Sequence, residues 1–360
     1  MHRRNLIQRG GLVGILAAGA APAVHAQALT RWRLASSFGK SFDLLYGSAE
    51  SFAAKVGAMS GGHFQIDVHA AGELMSPVGV LDGVQRGAIE ACHTAGAFFF
   101  GKSEAFAFGA AVPFGMNTRQ LSAWLTEGNG LRLSREFLAD FNALNFPCGA
   151  AGAQRLGWFT REIRSPADLR GLKLRFDGLG GRVFERLGAV LQGPALGDDL
   201  REALGKGGAA GVEGVSPYDD QRLGLAKAAA HCYAPAWWAG ATQLDLLVNQ
   251  KAFDALSADH KAIVQAASAA VQGELLARYD QRNALALRQL ARAGIRVAQF
   301  PRAVLDAAFG AAMALGRELD TSRPAWKKIH ADYRAFQREQ LNLARATEAT
   351  FDGFMQSRKL

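Results

Sequence analysis

Strand-like and helix-like patterns alternate along this chain in two stretches that share one layout. In the first, Arg31 to Ala35 alternates as a strand, Ser41 to Met59 carries a helical pattern, and His63 to His69 alternates again after a Gly61-Gly62 turn. A helix from Pro77 to Arg86 follows, then Gly87 and the strand Ala88 to Ala91. In the second, Leu172 to Phe176 is the strand, Arg182 to Leu187 the helix and Ala189 to Leu191 the next strand. A helix from Asp198 to Leu204, the glycines between Gly205 and Gly208, and the strand Gly211-Val212-Glu213 complete it. Strands separated by helices predict parallel sheets with helices on their faces. Two such units predict an α/β chain of two lobes with a ligand cleft between them. At 360 residues, 49% hydrophobic and 20% charged, the chain has enough material for both cores.

The run Ser165 to Gly181 narrows the expectation to one arginine. Ser165, Pro166 and Asp168 read as N-cap, first helical position and first-turn acid of a short helix that Gly171 stops. Leu172-Lys173-Leu174-Arg175-Phe176 alternates as a strand, and Gly178, Gly180 and Gly181 bend the chain into the next helix. Arg175 therefore falls where a strand ends and a helix begins, the edge at which open α/β sheets bind small ligands. A planar guanidinium there can grip a carboxylate through two parallel hydrogen bonds. An ordinary surface arginine in a β-α turn fits the same residues.

Met1 to Ala26 has Arg3, Arg4 and Arg9, no acid, an apolar stretch from Gly11 to Ala23, and Val24-His25-Ala26 as a small-residue end. This reads as an export signal cleaved before Gln27, with an apolar stretch too short for a permanent span. Arg3-Arg4 also fits a twin-arginine signal, and a general secretory signal fits equally. Either route predicts a periplasmic, soluble mature chain. The formal charge is +9, and removing the three signal arginines leaves +6. These charges are scattered singly with no polybasic block, so they read as solvated faces and not as a nucleic-acid footprint. Cys92, Cys148 and Cys232 could form one disulfide in an oxidising compartment, but a chain this large does not need one. Buried free thiols are the expected state.

Beyond Asp254 the pattern turns helical. Ser257 caps a stretch that runs to Ala293 without proline and ends at Gly294. One helix of that length would span roughly 55 Å and brace both lobes; two helices broken near Gly273 are the alternative. Further helical regions cover Pro301 to Gly316 and Trp326 to Met355.

Enzyme motifs are sparse. Ser37-Phe38-Gly39-Lys40 matches the S-x-x-K of periplasmic serine acyl-enzymes, but its companions S-D-N and K-T-G are missing and Gly39 interrupts the turn. Neither G-x-S-x-G nor H-E-x-x-H occurs, and Gly178, Gly180 and Gly181 do not make G-x-G-x-x-G because Val183 takes the last place. Cys92-His93 and His231-Cys232 are adjacent pairs whose side chains point to opposite strand faces, which disfavours zinc.

Several stretches carry a resemblance. Ala110 to Met116, Gly157-Trp158-Phe159 with Glu162-Ile163, Leu172 to Gly181, Glu213 with Ser216 to Asp220, and Ala234 to Trp238 resemble the extracytoplasmic solute receptors of tripartite ATP-independent periplasmic (TRAP) transporters. The chain is most similar to the branch that binds 2-oxo acids, over essentially the whole mature sequence. The resemblance implies a two-lobed periplasmic-binding fold that closes on a carboxylate and delivers it to membrane permease subunits without chemistry. The lobes it implies are 27–152 plus about 243–275 and 153–242 plus about 276–300, followed by C-terminal helices over 301–360. It also implies that the region from Trp326 to Met355 either pairs two protomers or packs on its own chain.

For the site, the resemblance places the ligand carboxylate on Arg175 and a bridging Na⁺ or Ca²⁺ on Gln154, Glu213 and the main-chain carbonyl of Gly214. An amide oxygen and a carboxylate are hard donors suited to such ions. A 2-oxo acid can chelate the same ion through its keto and carboxylate oxygens. Phe98, Phe99, Phe100, Trp237 and Trp238 are candidate pocket walls. Three positions depart from the branch. Gly214 replaces a tryptophan, which should enlarge the pocket; Ala239 replaces an acid; and Arg155 stands where a small or apolar residue is usual and can supply a second cation. Together they predict a larger or more acidic ligand than pyruvate. Two other readings stay open: an acyl-enzyme built on Ser37 and Lys40, and a sensory receptor without transport.

Overall fold

The computed structural model describes residues 29–109, 111–152, 155–193 and 199–358. The expected export signal over 1–26 lies outside them, as do Ala110, Gln154 and Asp198. Strands β1 (Thr30–Ser36), β2 (Phe64–His69), β3 (Ala91–Ala95) and β4 (Ala143–Ala150) come first. Strands β5 (Gly157–Phe159), β6 (Lys173–Arg175), β7 (Val190–Leu191), β8 (Gly211–Glu213) and β9 (His231–Ala234) follow, then β10 (Gln243–Asn249) and β11 (Val297–Gln299).

These strands form two sheets, ordered β2-β1-β3-β10-β4 and β11-β9-β5-β8-β6-β7. The expectation of parallel pairing holds for β1 with β2 and β3, and for β6 with β7 and β8. It fails at one strand in each sheet. β10 runs antiparallel to β3 and β4, and β5 runs antiparallel to β8 and β9. Both lie next to segments where the chain passes between sheets, β4 to β5 and β9 to β10, so each enters its sheet without a crossover helix to align it. The third passage is the helix Ala258–Arg292, which leads from β10 of one sheet to β11 of the other.

That helix is continuous through Gly273, which settles the choice between one helix and two. Ser257 caps it by accepting from His260 N, and a side chain at Gly273 would meet nothing within 4 Å, so its glycine is not a packing requirement. Its 35 residues make a rod of about 52 Å. Val264, Ala267, Val271, Leu275, Tyr279, Asn283 and Ala286 form its buried stripe at three- and four-residue spacing. Ser51 and Lys55 of the helix Asp43–Met59 meet its Glu274 (2.9 and 3.1 Å), and Gly149 N donates to Gln272 (2.7 Å). Farther along, Tyr279 OH donates to Asp219 (3.0 Å) and Tyr218 N to Asn283 (2.9 Å) in the helix Pro217–Leu223. One rod therefore holds elements that belong to both sheets.

The expected third helical region is two helices, Pro324–Ala346 and Glu348–Gln356, broken at Thr347, whose backbone leaves the helical range (φ −126°, ψ −97°). Tyr333 of the first accepts from Met116 N (2.7 Å), and its Asp332 accepts from Trp124 Nε1 (2.7 Å). The helices Pro324–Ala346 and Arg302–Ser322 cover the second sheet and the 105–133 segment in one core that includes Phe159, Phe176, Trp238 and Trp326. All three cysteines are buried free thiols. Among the described residues no helix is long and apolar enough to cross a membrane.

Candidate functional site

A cavity of about 310 Å³ opens between the two sheets. Phe38, Ala95 and Phe98 wall it from the first sheet's side; Asp177, Glu213, Gly214 and Val215 wall it from the second. Ala151, Arg155 and Thr242 come from the passages between sheets, and Leu244 from β10 of the first sheet. Arg155, Glu213 and Thr242 are joined by hydrogen bonds on the wall, while Leu45, Pro77, Val78 and Phe98 give apolar lining. Phe38 and Phe98 meet edge to face at 5.6 Å, which fixes that wall.

Glu213 ends β8 and is buried. Its Oε1 receives Arg155 Nη1 and Trp238 Nε1, the latter at 3.1 Å, while Arg155 Nε donates to Thr242 Oγ1 at 3.1 Å. The Arg155 and Glu213 side chains are 14% and 8% exposed, so this is an ion pair held out of bulk water. Arg155 thus lines the cavity as a guanidinium whose charge is met by Glu213.

Arg175 ends β6, directly beside Val212 of β8. It is buried, as are Leu174 and Phe176 on either side of it. The pairing explains this. Its Nη1 and Nη2 donate to the two oxygens of Asp199 at 2.9 and 3.2 Å, the two-pronged geometry expected for a carboxylate. The hydrogen bond from Arg175, and then its charge, hold the Asp199 carboxyl below its ordinary range. Arg175 does not line the 310 Å³ cavity; its fork is turned to Asp199, whose side chain is 60% exposed.

Phe98, Glu213 and Gly214 are brought to one cavity. Gln154 lies outside the described residues. Trp237 and Trp238 do not line the cavity. Trp237 stacks on Phe114 at 5.5 Å in the core, and Trp238 is buried and reaches the site only through its indole N–H on Glu213. Phe100 lines the cavity; Phe99 is buried elsewhere, against Phe106. Sequence reasoning missed Asp177, which caps the helix Gly178–Arg186, and Thr242, which ends a loop with no motif. It also missed Asp199 as a partner.

The expectation that Gly214 enlarges the pocket is corrected. A Cβ at this position would run into the Asp220 carboxylate. That carboxylate accepts from Trp158 Nε1 and Val215 N, both at 2.8 Å, and burial pushes its pKa up to about 7. Glycine is required here by close approach, and the space a side chain would leave is already filled. Gly214→Ala is expected to destabilise the protein by about 1–3 kcal/mol through overpacking, read as a lower melting temperature; an unchanged melt would show that Asp220 can move.

The acyl-enzyme constellation is not assembled. Ser37 Oγ bonds Thr94 Oγ1 (2.7 Å) and the Pro77 carbonyl (3.0 Å), while Lys40 pairs with Glu73 (2.8 Å), and the nearest helix starts at Asp43. Among the described residues no group of three or more His, Cys, Asp or Glu side chains comes together as a metal site. An ion here would have to use carbonyl and amide oxygens beside Glu213.

Two sheets joined by three passages, a bracing helix and a cleft with paired charges on one wall define a two-lobed solute-binding protein of the periplasmic kind. The chain belongs to the family described as bacterial extracellular solute-binding protein, family 7, which it matches over residues 35–321. It is 38% identical over 327 residues to a monocarboxylate 2-oxoacid-binding periplasmic protein of Nostoc sp., covering 91% of this chain and 89% of that one. Among solved structures it resembles a TRAP transporter solute-binding protein of Bordetella bronchiseptica at 37% identity and a TM-score of 0.88, covering 92% and 98% of the two chains. That protein is a mixed-occupancy dimer with copurified calcium and picolinate in one active site. A TRAP periplasmic solute-binding protein of Pseudoalteromonas atlantica, with bound sodium and pyruvate, aligns at 29% identity and a TM-score of 0.86 over 92% and 100% of the chains.

Proposed function

We propose that this protein is the periplasmic receptor of a TRAP transporter, that it binds a small 2-oxo monocarboxylate, and that it hands the ligand to membrane permease subunits chemically unchanged. The observation that carries this reading is the cavity itself: an apolar chamber between the lobes whose wall holds a buried guanidinium–carboxylate pair. Family membership and the carboxylates bound by its relatives support it.

The chamber favours a particular kind of acid. A three-carbon acid would occupy only part of about 310 Å³, and Leu45, Val78, Phe98 and Leu244 offer apolar contact to a longer tail. Asp177 on the wall and the neutralised Arg155 leave no spare positive charge for a second carboxylate. The ligand is therefore read as a monocarboxylate with an apolar tail, and the more acidic alternative is set aside.

Glu213 and the Gly214 carbonyl are hard oxygen donors on the cavity wall, so the residues suit the sodium or calcium seen in relatives. With Gln154 they would hold that ion, which would polarise the keto acid and offset its charge. Arg175 would grip the ligand carboxylate once Asp199 lets go. An exposed acid at the N-cap of the helix Leu200–Gly205 is free to be displaced, so Asp199 acts as an internal competitor. Asp199→Asn is accordingly expected to tighten ligand binding several-fold in calorimetric titration; weaker binding would mean that Asp199 helps the site.

Native mass spectrometry of the exported protein as purified tests the whole reading, since an enclosed ligand should copurify. A retained acid with an apolar tail supports it; a dicarboxylate, a sugar or a turned-over product overturns it. Exposed Leu343, Phe351 and Phe354 on the last two helices support pairing of two copies there, which light scattering of the same sample measures.

A further inference from the structure

Arg155 neutralises the Glu213 carboxylate that an ion would use, through its Oε1. Glu213 Oε1 already takes the Arg155 guanidinium and the Trp238 indole, and Thr242 holds Arg155 in that pose. The pair is neutral and almost fully enclosed. A cation brought to the same carboxylate would sit within a few ångströms of a fixed guanidinium, and like charges so close in a poorly screened site repel strongly. The ligand changes this sum. Its carboxylate adds one negative charge to a cavity that Arg155 lines, and that charge offsets the one an ion brings to Glu213.

We propose that Arg155 makes cation binding conditional on the ligand: the empty receptor keeps Glu213 paired with a guanidinium that repels a cation, and ion and carboxylate enter together. This rests on the reading of Glu213 as an ion ligand given above. Linkage makes the coupling reciprocal, so the ion must strengthen the ligand by the same factor as the ligand strengthens the ion. Arg155 is a specificity residue in this account, one that keeps the site from filling with ions alone in a compartment where they are abundant.

The test is calorimetric titration of calcium chloride into the mature protein in sodium-free potassium buffer, with and without potassium pyruvate as probe. Calcium-induced rises in melting temperature are read on the same samples. The wild type is expected to show no calcium binding at millimolar concentration without pyruvate, and at least a ten-fold gain in pyruvate affinity with calcium. Arg155→Met is expected to bind calcium alone, with a coupling factor near one; Arg155→Gln serves if the methionine variant folds poorly. Calcium binding to the ligand-free wild type as tight as to Arg155→Met overturns the inference alone. Calcium binding to neither protein, with or without pyruvate, overturns the ion reading of Glu213 together with it. Failure of the wild type to bind pyruvate or any longer 2-oxo acid in any ion overturns the proposed function itself.

Discussion

Arg175→Ala is expected to weaken binding of a 2-oxo monocarboxylate by about 2–5 kcal/mol, the range for removing one partner of a buried charge pair. Affinity should then fall at least thirty-fold in calorimetric titration at fixed ion concentration. Arg175→Lys should also bind poorly, because an ammonium cannot reproduce the planar fork that now meets both Asp199 oxygens. The fold should survive either change. Asp199 is mostly exposed, so losing its partner leaves no buried charge behind. A loss of binding with an unchanged melt would separate recognition from folding, whereas wild-type affinity in the alanine variant would place the carboxylate elsewhere.

Glu213→Leu should have the largest effect on stability. It leaves the Arg155 guanidinium with Thr242 alone inside a largely apolar cavity, and breaking a buried pair from one side costs about 3–5 kcal/mol. Glu213→Gln should be milder, since an amide oxygen still accepts from Arg155 and Trp238. The double variant Glu213→Leu with Arg155→Met should recover most of the loss, because both charges go together. Urea denaturation of the four proteins gives the cycle. If the double variant is as unstable as Glu213→Leu, then packing around Glu213, and not the charge pair, sets its contribution.

The sequence carried the local signals well and the long-range ones poorly. The bracing helix was legible because its start and stop are chemical, Ser257 and Gly294, and because Gly273 packs against nothing. The place of Arg175 was legible from the strand-to-helix turn around it, but its burial was not, since Asp199 lies 24 residues on. The Arg155–Glu213 pair spans 58 residues and joins a loop to a strand end, a contact no periodicity reports. The break at Thr347 has no proline or glycine beside it, so the last two helices read as one. The adjacent tryptophans were misjudged for another reason: aromatic pairs suit a pocket wall and a core alike, and only the packing of Trp237 on Phe114 tells them apart.

The position of β10 has a consequence for how this molecule is made. It is the fourth strand of the first sheet in spatial order and lies between β3 and β4, yet it leaves the ribosome some ninety residues after β4, once nearly all of the second sheet has been synthesised. Until it arrives, the facing edges of β3 and β4 have no partner in their own sheet. Neither lobe is a contiguous stretch of chain, so neither can be finished early or cut out and refolded alone. Such distant pairings slow folding and expose unpaired edges meanwhile. Completion of the fold is thus a single late event that joins both lobes, because the strand that closes the first sheet is also the one on which the chain returns from the second.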